Sequence, residues 1–496
     1  MKLYREIVKA KNNSLVPLFF NGHAAHSKYN PENEAENFIR EIDFANFFLV
    51  VGVAGAYAIS ALHKKFPEST ILAVDASDED ILFLKTIPNL AKLANEKNIF
   101  FSSIANFSSV LKENYFPALH GDLKVIVIAS WKQEANNLFL DFQKKFENVK
   151  NEIASDFATQ ARFGKIWQKN IFENLQMETK KNNFCFPIKK TACIVAAGPS
   201  LDKTIFEIKK NANNFFIIAT DTAFSILQKE KIFCDCVISI DGQAVSAEHF
   251  LSCANPKTLF VFDVQANPIA VRRTKKNALL FIETGHPLSL AAKQNNFSAL
   301  HVESFGTVTI AALDFAHKVG FEALAIFGAD FSYEKKPYAR GTYFDVQFAK
   351  KNTKFFSIEN QFCALMFRST LEKISPKKTT TKILQTYKCA FDNFLKTNCD
   401  VIKNENEITF ARFAKKNSFK NFESQKSNFN FSLFLKNLIA TCKTAIDEND
   451  FSNPAIFCLL PMLAFFSNDK KFQTLSTRER INLAFEKILR YTFRYD

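Results

Sequence analysis

The segment Val195-Ala-Ala-Gly-Pro-Ser-Leu-Asp202 joins an apolar strand end to a tight turn and a helix start. Such a junction leaves backbone N–H groups and the positive end of a helix free to hold an anion. Gly198 permits close backbone approach, Pro199 sets φ for the first helical turn, and Ser200 can cap the helix or donate to a phosphate. An ordinary capped strand-to-helix turn has the same look, and the Walker pattern is missing because no Gly-Lys-Ser/Thr follows. Two acidic strand ends favour a ligand: Ile217-Ile-Ala-Thr-Asp221 and Val237-Ile-Ser-Ile-Asp241-Gly242. A third strand ends in Phe327-Gly-Ala-Asp330. In open α/β sheets this carboxyl edge is where ligands bind. Asp221 and Asp241 could hold ribose hydroxyls, a base or a divalent cation such as Mg²⁺. After Asp330, Ser332-Tyr-Glu-Lys-Lys-Pro-Tyr-Ala-Arg-Gly-Thr-Tyr343 reads as a loop. Its Tyr333, Tyr338, Arg340 and Tyr343 offer phosphate donors and stacking faces, as a lid over a charged ligand would.

These residues need a parallel sheet to position them. Continuous apolar runs alternate with helical stretches at Phe47–Val51, Thr70–Asp75 and Leu123–Ala129, then again from Thr191–Ala197 onward. That alternation predicts an α/β chain of two Rossmann-like, doubly wound domains followed by an all-helical C-terminal domain. The expected boundaries are 1–180 for a degenerate Rossmann-like domain with a helical linker, 185–415 for a central α/β domain and 416–496 for the helical part. Further strands are expected at Phe215–Thr220, Cys236–Ile240, Thr258–Phe262, Leu279–Ile282, Leu324–Phe327 and Asp400–Lys403. In the first domain Gly52-Val-Ala-Gly55, with Asp75 twenty residues on, has the outline of a nucleotide-binding βαβ unit. Its glycines are too few for the full fingerprint, so a fold that merely packs is the stronger reading.

Composition narrows the partners. The chain has 496 residues and a net charge of +14, carried by 52 lysines against only 12 arginines. The lysines are dispersed in pairs, and the Arg forks that phosphate recognition favours are scarce, so no nucleic-acid partner is expected. Ten cysteines without a CxxC pair give no zinc spacing. The longest apolar stretch, Pro454–Phe466, falls short of the roughly 20 residues a membrane span requires. The N-terminus lacks a signal-like apolar core, so a cytoplasmic location is expected.

Four segments carry a resemblance: Gly198-Pro-Ser-Leu201, Asp221-Thr-Ala223, Cys236-Val-Ile-Ser-Ile-Asp241 and the long run from Gly306-Thr307 to Ala329-Asp330-Phe331. Together they resemble the central domain of the motility-associated factor family, across roughly residues 185–410. That domain is similar to 6-hydroxymethylpterin pyrophosphokinase and, more distantly, to bacterial sialyltransferases. The resemblance implies transfer of a nonulosonic acid from a CMP-activated donor to Ser/Thr of flagellin. It implies nucleotide contacts at Gly198, Pro199, Ser200, Asp221, Asp241, Gly242, Gly306, Thr307, Tyr333, Tyr338 and Arg340. Ser332 stands where sialyltransferases have a tyrosine, with Tyr333 next door. Their downstream His base has no counterpart, since no histidine follows His317. Asp330, Glu303 and His286 are the candidates for catalytic base. An ATP-dependent, pyrophosphokinase-like enzyme with Mg²⁺ at Asp221 and Asp241, or a non-catalytic flagellin-binding scaffold, are the alternatives.

Overall fold

The computed structural model describes residues 2–177, 186–187, 191–251, 255–405, 407–415 and 429–492. Two of the expected domain boundaries, at 180/185 and 415/416, abut or fall in segments outside these residues. The chain forms two compact units, Met1–Gly164 with Leu459–Glu486, and Lys165–Cys458 with Lys487–Asp496.

In the first unit a hairpin of β1 (Tyr4–Lys9) and β2 (Leu15–Phe19) precedes four parallel strands. These are β3 (Phe47–Val51), β4 (Thr70–Asp75), β5 (Ile99–Ser103) and β6 (Leu123–Val127), ordered β5-β4-β3-β6. Every residue of β3 is buried, as its unbroken apolar run Phe-Phe-Leu-Val-Val requires of a strand covered on both faces. The helix Asn136–Leu175 continues the chain towards the second unit. Within the first unit, Gly164 on that helix meets the crossing backbone at Pro461, where an added Cβ would overlap the Pro461 carbonyl. Asn468 Nδ2 donates to Ala161 O at 3.0 Å beside it.

The second unit is built on a sheet whose strands are β7 (Thr191–Val195), β8 (Phe215–Thr220), β9 (Cys236–Ser239), β10 (Leu259–Asp263), β11 (Ala278–Glu283), β12 (Leu300–His301) and β13 (Ala323–Phe327). A hairpin of β14 (Glu372–Ser375) and β15 (Lys378–Thr380) lies outside it, and β16 (Cys399–Glu405) and β17 (Ile408–Phe413) complete it. The order is β12-β11-β10-β9-β8-β7-β13-β17-β16. The chain walks outward from β7 to β12. Helix Val308–Lys318, packed on β7, β8 and β9, then carries it back to lay β13 on the other side of β7. The strand order therefore reverses between β7 and β13, the switch point at which doubly wound sheets bind ligands. Ile194, Ile218, Ile238, Val261, Ile310, Phe315 and Ile326 form one core beneath it.

The expected α/β architecture is present: parallel sheets with helices, and a helical C-terminal region from Phe431–Asp447 to Thr477–Thr492. The strand at 400–403 is the middle of β16. Its partner β17, antiparallel to both β13 and β16, escaped the sequence reading because Ile-Thr-Phe-Ala-Arg-Phe carries a mixed apolar pattern. The helices Phe431–Asp447 and Pro454–Phe457 belong to the second unit, whereas Leu460–Phe466 and Lys470–Gln473 belong to the first. Gln168 Nε2 donates to Cys458 O at 2.6 Å, a buried bond that ties the entry of the second unit to its exit.

Alanine normally exceeds glycine in a helix by about 1 kcal/mol. At Gly164 the overlap with Pro461 reverses the sign. Gly164→Ala is expected to lower stability by about 1–3 kcal/mol, read as a lower melting temperature.

Candidate functional site

At the switch point the loops after β7 and β13 continue the ladder beyond the strands. Ala196 N–H donates to Phe327 O and Gly198 N–H to Gly328 O, each at 2.9 Å. A Cβ on Gly198 would overlap the Asp330 carboxylate, so the approach demands glycine there. Ser200 N–H donates to Asp330 Oδ2 at 2.8 Å. The head of helix Leu201–Lys210 thus already holds an anion, the neighbouring strand's carboxylate, where the sequence suggests a phosphate. Burial pushes the Asp330 carboxyl up from its ordinary range, while contacts to Ser200 and the charge of Lys378 pull it back.

The loop after Asp330 is held at both ends. Tyr333 and Thr379 exchange two backbone bonds, at 2.7 and 2.9 Å, and Thr380 Oγ1 donates to Phe331 O at 3.0 Å. Towards its far end Ala339 N–H donates to Ala197 O at 3.0 Å, Arg340 N–H to Asp202 Oδ1 at 2.7 Å, and Ser225 Oγ to Gly341 O at 3.0 Å. Lys203 and Lys378 each pair with Glu334 and Glu407, at 2.5–3.8 Å. These partly exposed pairs contribute no more than about 1 kcal/mol each. Tyr338, within this loop, is stacked on Phe344, centroids 4.8 Å apart, and burial pushes its hydroxyl up to about 12. The Arg340 side chain is exposed.

Beside the switch point, Asp221 opens helix Asp221–Lys229. Its Oδ2 accepts from Ser239 Oγ at 2.7 Å and its Oδ1 from Thr222 N–H at 2.7 Å. Its charge acts on Asp241, His249, Tyr338 and Tyr343, so these five form one electrostatic cluster. Burial, reinforced by Asp221, pushes the Asp241 carboxyl up to about 6 against the Gln243 N–H that it accepts at 2.9 Å. His249, absent from every sequence motif, is buried with its ring edge-on to Tyr343, centroids 4.2 Å apart. Only the fold brings it here, through the short helix Ala244–Phe250 after β9. The next strand ends in Asp263, also unremarked in the sequence. It accepts from Gln265 N–H at 2.9 Å and from Thr284 Oγ1, and burial drives its carboxyl up to about 7.

Comparison with known proteins bears on this half of the chain. Residues 165–336 match the family model described as 6-hydroxymethylpterin diphosphokinase MptE-like. Two uncharacterized proteins of Treponema pallidum (strain Nichols) are similar. The first is 35% identical over 170 residues, 33% of this chain and 61% of that protein. The chain thus spans about six-tenths of the first relative's length. The second is 33% identical over 155 residues, 29% of this chain and 70% of that protein. The chain and this second Treponema protein belong to one family. A solved structure of the MAf glycosyltransferase from Magnetospirillum magneticum AMB-1 aligns with 98% of this chain and 90% of its own. Its TM-score is 0.57 at 13% identity, a likeness of fold.

The MptE-like match contains the switch-point turn, the carboxylates and Tyr333, whereas Tyr338 and Arg340 lie just beyond it. The other residues singled out in the sequence have structural partners of their own. Glu303 follows β12, five strand spacings or about 24 Å from β7. There it pairs with His301 Nε2 at 3.2 Å. His286 caps helix Pro287–Gln294, its Nδ1 accepting from Leu288 N–H at 3.2 Å, and burial holds its imidazole down at about 3. Gly242 makes room for packing: Trp167 lies against it and Asn170 Nδ2 donates to its carbonyl at 2.8 Å. Gly306, at φ +78°, lies against the Tyr387 ring, and Thr307 caps helix Val308–Lys318.

Among the described residues no three His, Cys, Asp or Glu side chains gather as a metal site. Asp221 and Asp241 would fit Mg²⁺ only with phosphate oxygens completing its shell, which is its usual mode in nucleotide sites. In the first unit Asp75 fills the Gly52–Gly55 turn. It accepts from Val53 N–H (2.8 Å), Ala54 N–H (3.4 Å), Tyr4 OH (2.9 Å), Ala76 N–H (2.7 Å) and Trp131 Nε1 (3.0 Å). Trp131 also packs where a Cβ of Gly52 would be.

Asp263 gives a pH test. Its folded carboxyl, at about 7, holds a proton more tightly than the unfolded one at 3.8. Its contribution to stability is full below pH 3.8 and is lost as pH rises through 7. Asp263→Asn removes that loss. Its melting temperature is expected to exceed the wild type's at pH 8, by a margin that shrinks as pH falls towards 4.

Proposed function

We propose that the chain is a glycosyltransferase that moves a nonulosonic, sialic-acid-like sugar from a CMP-activated donor to Ser/Thr of flagellin. The observation that carries the reading is the cluster itself. A glycine turn, two strand-end carboxylates and two lid tyrosines meet at the switch point of a chain that shares the MAf glycosyltransferase fold along its length.

In this reading the nucleotide phosphate takes the place of the Asp330 carboxylate at the Ser200 N–H, and Asp330 yields towards Lys378. The Gly198 turn then supplies backbone donors to the leaving phosphate, as charge develops on it. Asp221, held by Ser239 and Thr222, and Asp241 accept from ribose hydroxyls or the base. Tyr338 and Arg340 close on the phosphate from the lid. Transfer by direct displacement then needs an oriented donor, a stabilised leaving group and a base for the acceptor hydroxyl.

The MptE-like match favours a second reading, a diphosphokinase in which Asp221 and Asp241 hold Mg²⁺ with ATP. A Mg²⁺ requirement and release of AMP would mark it. Calorimetry separates the two, since CMP is expected to bind without Mg²⁺ and ATP is not. Tyr338→Phe combined with Ser200→Ala is expected to weaken CMP binding at least about 10-fold, the equivalent of one lost hydrogen bond. A chain that binds no nucleotide under any condition overturns both.

A further inference from the structure

Transfer to a hydroxyl requires a proton acceptor, and the carboxylates beside the turn are committed elsewhere. In the reading above Asp330 turns to Lys378 and Asp241 to the nucleotide, Asp221 uses both oxygens within its own neighbourhood, Glu303 pairs with His301, and His286 caps its helix. His249 lies inside the Asp221 cluster. It is 7% exposed, and its Nδ1 is buried with no hydrogen-bond partner. A buried imidazole nitrogen without a partner is costly if it carries a proton and cheaper if it carries a lone pair. The lone pair therefore sits on Nδ1 and the proton on Nε2, the form that accepts a proton.

The groups around the ring suit that role. Tyr343, the first residue of the helix after the lid, stands edge-on to it. From the β8 end Asp221 lends negative charge to the ring, as does Glu248 from its own helix. Both would stabilise an imidazolium once formed. Arg273 donates to Ala247 O on the same helix and fixes the backbone two residues away. Asp241, at the end of β9, lies in the same cluster through Asp221 and Tyr343.

We propose that His249 is the general base of the transfer, taking the proton of the acceptor hydroxyl at Nδ1. This rests on the glycosyltransfer reading above. The acceptor oxygen bonds to the anomeric carbon as the bond from that carbon to the phosphate oxygen breaks. The electron pair leaves on CMP, and the imidazolium passes its proton to water. Burial lowers the imidazole below its ordinary value, so it is neutral and ready to accept at pH 7.

The test uses the full chain, CMP for binding, and flagellin with a CMP-activated nonulosonic acid for transfer, followed by mass spectrometry. His249→Gln is expected to bind CMP like the wild type and to transfer at least about 100-fold more slowly, the usual weight of a general base. His249→Asn should behave alike, and its melting curve reports whether either change disturbs the fold. Wild-type transfer should fall on the acid side as the imidazole protonates. That limb should persist in Asp241→Asn and vanish in the His249 variants, with added imidazole restoring part of their rate. A His249 variant that binds CMP and transfers at the wild-type rate overturns the assignment alone. A wild type that neither binds CMP nor modifies flagellin overturns the glycosyltransfer reading beneath it.

Discussion

Both sheets depend on one device, a carboxylate from a neighbouring strand seated against the free N–H groups of a glycine turn. A turn that opens a helix leaves donors unpaired, and in a buried setting each must find an acceptor. In the first unit Asp75 answers five donors at once and is wholly buried. Nothing is left for a phosphate, and Trp131 closes the approach. In the second unit Asp330 answers the single Ser200 N–H, half-buried and in the field of Lys378. The same geometry is thus saturated by five donors in one sheet and held by a single N–H in the other.

The lid follows from that arrangement. Its backbone bonds to Ala197 and Asp202 sit on either side of the turn, so the turn and this loop are seated together. The carboxyl edge beyond it is a row of acids, with Asp221, Asp241, Asp263, Glu283 and Glu303 each at or just past the end of a successive strand. Glu283 pairs with Lys293 and His301, whereas Asp241 and Asp263 hold protons more readily than exposed acids do. Asp221 is the member whose charge acts on all the others of the cluster.

Much of this was legible in the sequence. The unbroken apolar runs from Phe47 and Thr191 admit only strands covered on both faces, and Gly198-Pro-Ser with Asp221, Asp241 and Asp330 announced the carboxyl edge. Other features were not. His249 follows no spacing rule, since its place comes from a short helix whose path is set by tertiary packing. Gly242 reads as a ligand glycine, yet its missing side chain serves Trp167 and Asn170, contacts that no local pattern encodes. Glu303 and His286 follow strands as a catalytic group would. Strand order, which periodicity cannot supply, separates them from the turn.

The first unit is discontinuous, since Leu459–Glu486 completes what Met1–Gly164 begins. Most of the second unit, Lys165–Cys458, lies between the two parts of the first, and Gln168 bonds to Cys458 near the two ends of that stretch. On the ribosome, elongation at about 5–20 residues per second leaves the first unit waiting roughly 15–60 s for its last helices.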